Sequence, residues 1–180
     1  MKDNSRREED LVSREREWQE QIGGRLQAET MERLGTRLVL NCQYTRIANA
    51  LDISDGALVL DIGCGTGHLL RWLKDNRSVR GVGIDLALGT LFRGQEAGLN
   101  NLLYGDAQYL PLKSSSVECI VCKGSVHHMP DLTLAIKEMY RVLSPGGKLV
   151  LFEPMATLLT NFLRRIFAKS TNMNHRWIWL

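Results

Sequence analysis

Val59-Leu60-Asp61-Ile62-Gly63-Cys64-Gly65-Thr66-Gly67-His68-Leu69-Leu70 is the stretch whose reading decides the fold. It opens as a short apolar run, the pattern of a strand buried on both faces. An acid and three glycines at every second position follow, and then Leu69, Leu70, Trp72 and Leu73 recur at helical spacing. Strand, glycine turn and helix in that order build a nucleotide pocket at the carboxyl edge of an α/β sheet. Glycine serves there because the backbone bends tightly and a ligand must approach it without a Cβ in the way. A dinucleotide fingerprint would place its third glycine at position 68; this chain has His68 there and its third glycine at Gly67. Asp61, at the strand end, would repel a diphosphate and suits a ligand with a cationic end. The spacing favours a non-phosphate nucleoside.

Outward from this stretch, strand and helix patterns alternate. Strands are expected at about 57–62, 81–85, 102–104, 117–122 and 148–153, and helices at about 67–76, 87–97 and 132–143. This is the signature of an α/β protein with a doubly wound, mostly parallel sheet and the ligand at the switch point beside the first strand. Upstream, residues to about 35 are rich in Arg and Glu and read as a helix with a solvated face, broken at Gly23-Gly24, and 36–51 read as a stronger helix. Tyr44 on it reads as a core-edge residue or one facing the pocket. Three segments result: an N-terminal helical segment 1–51, a core 52–154, and a C-terminal stretch 155–180. In the last, Leu158, Leu159, Phe162, Leu163, Ile166 and Phe167 share one helical stripe among basic residues. That stripe suits the core side of a packed helix, or contact with a membrane surface.

The totals fit one domain with an ordinary soluble core. A net charge of +3 is too small to argue for nucleic acid. No apolar run approaches the roughly 20 residues of a membrane span, and the first residues lack the apolar core of a secretion signal. A cytoplasmic protein is expected. The four cysteines form no framework: Cys119 and Cys122 lie inside an apolar strand, where residues three apart face opposite sides, so buried strand cysteines are expected. No metal site is expected, because the adjacent His127 and His128 have no further ligand cluster to join them.

Asp61-Ile62-Gly63-Cys64-Gly65-Thr66-Gly67 resembles the first motif of the class I S-adenosylmethionine-dependent methyltransferases, and the similarity runs from about Ser54 to Pro154. It implies a Rossmann-like methyltransferase fold with S-adenosylmethionine as cofactor. Gly63, Gly65 and Gly67 would let backbone pass close to the cofactor's tail and ribose. Asp61 would anchor the tail's ammonium; read alone, it could instead cap a helix. Asp85, ending the second strand, can hold both ribose hydroxyls because a carboxylate accepts two hydrogen bonds. The family has its ribose-binding acid at this place, with Leu86 flanking the adenine. Asp106-Ala107 resembles the adenine-reading pair, with a turn cap at Asp106 as the other reading. Lys123 and Gly124 would lie over the tail and sulfonium. The turn Ser144-Pro145-Gly146-Gly147-Lys148 resembles a structural element of the family.

The resemblance implies methyl transfer to a small-molecule or lipid-like acceptor. No catalytic residue is identified, although His127 or His128 could act as a general base near neutrality. The family usually carries seven strands, the last two forming an edge hairpin. After Glu153 there is room for one helix and one short strand at most. A shortened sheet edge, or a dimer or partner chain covering it, is therefore expected. Alternatives are a SAM-binding partner protein with little or no turnover and an NAD(P)-binding oxidoreductase, the latter opposed by Asp61 and His68.

Overall fold

The computed structural model describes residues 34–153, with Ser13 and Glu17 also placed in helix. The expected break at Gly23-Gly24, the basic stripe at 158–169 and the final residues lie outside the described residues, as does any completion of the sheet edge. Within them run α1 (Leu34–Leu51), β1 (Leu58–Ile62), α2 (His68–Asn76), β2 (Arg80–Asp85), α3 (Leu88–Glu96), β3 (Leu102–Tyr104), β4 (Val117–Lys123), α4 (Leu132–Val142) and β5 (Leu143–Phe152). A 3-10 turn at Val126–His128 precedes α4.

The sheet has the order β3-β2-β1-β4-β5, and every pairing is parallel. From β1 the chain winds outward to β2 and β3, then crosses back to lay β4 on the other side of β1. That reversal opens a crevice above the carboxyl ends of β1 and β4, the place where open α/β sheets bind ligands. The doubly wound parallel fold read from the sequence is the fold observed.

Both sheet faces are covered, which explains why the central strands are almost continuously apolar. Leu60, Ile62, Ile84, Ile120 and Cys122 pack beneath Ala135, Met139 and Val142 of α4. On the opposite face, Val59, Cys119 and Val121 pack beneath Ile47, Ala48 and Leu51 of α1 and Leu69 and Leu73 of α2. Cys119 and Cys122 therefore belong to different cores, both buried and unbridged, as their strand spacing requires. Tyr44 is also a core residue, 5% exposed, with its ring 5.8 Å from that of Trp72. Its hydroxyl is pushed upward by burial and then by the nearby Asp61 carboxylate.

Most element ends fall within a residue or two of the sequence reading; the exception is β5. It begins at Leu143, five positions ahead of the expected start at Lys148. Val117 pairs with Leu143 and Cys119 with Lys148, so two steps on β4 face five on β5. The Ser144-Pro145-Gly146-Gly147 turn is thus a bulge inside the strand rather than a loop ahead of it. A turn signature marks where the chain bends; it does not say whether pairing resumes on the near side.

Candidate functional site

The glycine turn closes over the end of β1. Gly63, Gly65 and Gly67 all have positive φ, at 72°, 55° and 73°, and Gly67 is the N-cap of α2, without a side-chain cap. Asp61 therefore does not cap that helix. At Gly63 the need for glycine is steric as well as conformational: a Cβ there would stand 2.3 Å from the Cβ of Ser125. Ser125 reaches this position because its hydroxyl donates to the Ile62 carbonyl at 2.7 Å. The turn after β1 and the loop after β4 are thereby pressed together.

Asp85 braces the same turn from the other side. One carboxylate oxygen accepts from the Gly65 amide at 2.8 Å and the other from the Ala87 amide at 2.9 Å. Each oxygen keeps a further lone pair for a ligand. Burial pushes the Asp85 carboxyl up, against the pull of the Ala87, Gly65 and Leu86 amides.

Asp61 lies one residue inside β1, paired in register with Gly83 and Val121, and is only 3% exposed. Burial first, and then the like charge of Asp85, raise its carboxyl to about 7 despite the opposing pull of Lys123. A carboxylate held at such a cost favours a cationic ligand. By strand alternation Asp61 shares the α1 face with Val59, and Lys123 shares it with Val121. The Lys123 ammonium sits 5.7 Å from the centre of the Tyr44 ring, and its pKa is lowered, chiefly by burial.

These elements enclose an open cavity of about 940 Å³, mouth included. Of the cofactor-site residues read from the sequence, its wall contains Gly63, Gly65, Asp85, Leu86, Asp106, Ala107, Lys123 and Gly124. Asp61 and Gly67 are not in the wall: Asp61 stands behind it on the α1 face, and Gly67 starts α2. Asp106 adopts the turn-capping role named as its other reading, since its carboxylate accepts from the Gln108 amide at 2.8 Å. The Gln108 side-chain nitrogen adds a contact at 3.1 Å, while its side-chain oxygen accepts from the Asp131 amide at 2.9 Å. Lining the cavity and capping the turn are compatible, because Asp106 also has spare lone pairs.

Sequence reasoning missed Gln108 and Glu153. Glu153 follows β5 directly, and one of its oxygens accepts from the amides of Ser125 and Val126 at 3.0 and 2.9 Å. Its other oxygen is 2.6 Å from His127 Nδ1. No local spacing could have found this, because the partners are 26 to 28 positions apart in sequence. Of the two adjacent histidines, His128 lies in the cavity wall. No cluster of metal-binding side chains occurs among the described residues.

Residues 60–151 match the methyltransferase domain family. The chain is 38% identical over 103 residues to malonyl-[acyl-carrier protein] O-methyltransferase of Yersinia pestis, covering 56% of this chain and 38% of that protein. It is 32% identical over 140 residues to demethylmenaquinone methyltransferase of Staphylococcus aureus, covering 69% and 58% respectively. The match thus spans between about two fifths and three fifths of the length of these relatives. Among solved structures, it resembles the protein held in complex with the Trm112 methyltransferase activator of Haloferax volcanii. That likeness has a TM-score of 0.57 and 25% identity, over 59% of this chain and 49% of the other.

Proposed function

This chain belongs to the methyltransferase domain family, the class I S-adenosylmethionine-dependent enzymes, and from that premise we propose that it binds S-adenosylmethionine above β1 and β4 and transfers its methyl group to a small-molecule or lipid-like acceptor. The observation that carries the reading is the pair Asp61 and Asp85 around a glycine turn at the switch point of the sheet. Asp61 is buried with its carboxyl raised to about 7, and Asp85 is half-buried with its carboxyl also pushed up. That site is short of positive charge, and the cofactor is a cationic nucleoside without phosphate. The residues present fit the group.

When bound, the cofactor supplies a methyl carbon already activated by its sulfonium. The protein's work is then alignment and exclusion of water, worth several kcal/mol of barrier. In this reading Asp61 stabilises the ammonium of the amino-acid end through a low-dielectric path. Asp85 offers its spare lone pairs to the ribose hydroxyls while keeping the turn in shape. Leu86 and Ala107 give the adenine apolar contact, Asp106 is available to its amino group, and Lys123 lies toward the tail carboxylate. His128 is the base candidate left by the geometry, since the Nδ1 of His127 is engaged by Glu153.

The proposal extends to context. The division into segments 1–51, 52–154 and 155–180 is part of the reading, supported by the packing of α1 on the core. No described helix is long and apolar enough to cross a membrane; a cytoplasmic setting is part of the proposal. A second reading is a SAM-binding subunit that needs a second chain. It is favoured by the β5 edge, where Leu151 is 45% exposed, and by the likeness to a protein that pairs with an activator. Turnover appearing only when a second chain is added would establish it.

Titration with S-adenosylmethionine is expected to raise the melting temperature with the logarithm of ligand concentration above Kd, while NADP does not. Stabilisation by NADP alone would reject the reading. Incubating labelled donor with a cell extract and identifying the labelled product would name the acceptor. Asp85→Ala should weaken cofactor binding by about 1–3 kcal/mol, the range for losing charged hydrogen bonds and stranding their partners. An unchanged calorimetric affinity would remove Asp85 from the site.

A further inference from the structure

Glu153 gathers Ser125, Val126 and His127 around one carboxylate. Its position gives that gathering a purpose. The three hydrogen bonds fall on one short segment, and that segment is bonded to Ile62 through the Ser125 hydroxyl. It continues into His128, Met129 and Pro130, all in the cavity wall. Two attachments thus hold the wall: one to the end of β1 and one to the end of β5. Gly124, which precedes the segment, is itself tied to β5 by donating its amide to the Phe152 carbonyl at 2.9 Å.

We propose that Glu153 is the positioning residue of this site: its carboxylate holds wall segment 125–130 against the glycine turn and, through His127, orients His128 toward the cavity. The rings of His127 and His128 lie 4.0 Å apart, tilted by 42°, so the orientation of one constrains the other. A carboxylate can only accept, which places a proton on Nδ1 of His127 and leaves neither ring free to turn. Burial alone would push the Glu153 carboxyl up. The hydrogen bond from His127 and the amides of Val126 and Ser125 outweigh it and hold the group below the ordinary glutamate range. The carboxylate is accordingly ionised at neutral pH, the state in which it accepts all three bonds.

Three measurements on the full chain test this, two of them on ligand-free protein and so independent of the cofactor reading. In Glu153→Ala, amide exchange at 125–129 should quicken about tenfold or more while β1 and β4 keep their protection. Unchanged exchange there, or protection lost evenly across the sheet, would overturn the proposal, the second outcome making Glu153 a general stability residue. Glu153→Gln keeps an oxygen for the two amides but turns its NH₂ toward His127. Imidazole nitrogen shifts should then show the His127 proton on Nδ1 in the parent and on Nε2 in this variant, with wall exchange close to the parent's. An Nε2 proton with Nδ1 bare in the parent would overturn it equally. The third measurement rests on the reading of the cavity as the cofactor site. S-adenosylmethionine should bind Glu153→Ala about tenfold more weakly than the parent and Glu153→Gln nearly as well. Equal affinity in all three proteins overturns the positioning role, whereas a parent that binds no cofactor defeats the cofactor reading while the ligand-free results still judge the wall.

Discussion

Asp61→Asn is expected to make the ligand-free protein more stable at pH 8 and to remove most of its affinity for S-adenosylmethionine. The Asp61 carboxyl is raised from an ordinary value of 3.8 to about 7. A carboxyl whose folded pKa is raised binds its proton more tightly folded than unfolded. Its stabilising effect is complete below the unfolded value and is lost as the pH climbs through the folded one. Between pH 4 and pH 7 the parent should therefore lose stability that the asparagine variant keeps. At about 1.4 kcal/mol per unit, three units set a ceiling of about 4 kcal/mol. For a chain of this size each kcal/mol moves the melting temperature by about 2–4 °C. The gap between the two proteins should widen from pH 4 to pH 7 and stay level above. The same substitution removes the charge proposed to stabilise the cofactor's ammonium, costing about 1.5–3 kcal/mol of binding or more. Melting curves at several pH values, with calorimetry at pH 8, check both halves. A variant that is no more stable than the parent at pH 8, or that binds equally well, refutes the role assigned to Asp61.

The second large effect concerns Gly63. Gly63→Ala should cost about 2–5 kcal/mol of folding stability from two sources. Left-handed backbone carries about 1–2 kcal/mol for a residue with a Cβ. Overpacking against the Ser125 side chain, only 2.3 Å away, adds about 1–3 kcal/mol. Gly124 is an internal control, because its φ of 66° is similar but nothing lies within 4 Å of its would-be Cβ. Gly124→Ala should show the backbone cost alone. Denaturant midpoints for the two variants give the steric part by subtraction. Equal midpoints would mean that the glycine turn and the loop after β4 are not pressed together as described.

The sequence carried the fold well because its signals were local. A buried strand, a glycine turn and an apolar stripe declare themselves within a dozen residues, and right-handed crossovers then leave little freedom for the sheet order. The cavity wall was legible at Asp85, Gly63 and Gly65 for the same reason. The limits were equally physical. Asp61 was legible as an acid at the strand end, but its burial behind the wall depends on which face α1 covers. Asp106 was seen as cap or ligand; only the partners of Gln108 show the cap. Glu153, and Gln108 where it accepts from the Asp131 amide, act across long sequence separations, where neither propensity nor periodicity reaches. The bulge in β5 escaped because pairing across it depends on β4, not on the turn that signals it.

The crossing-back of the chain also bears on how the molecule assembles. Val59 meets Cys119 across the middle of the sheet, a separation of 60 positions, so the central seam closes only after a long stretch has been searched and ordered. Contacts of that reach slow folding. During synthesis β1, β2 and β3 can associate first, leaving β1 with an uncovered apolar margin until β4 has left the ribosome. A nascent chain arrested just before Val117 should therefore be a preferred client of holding chaperones, and one released after Phe152 should not.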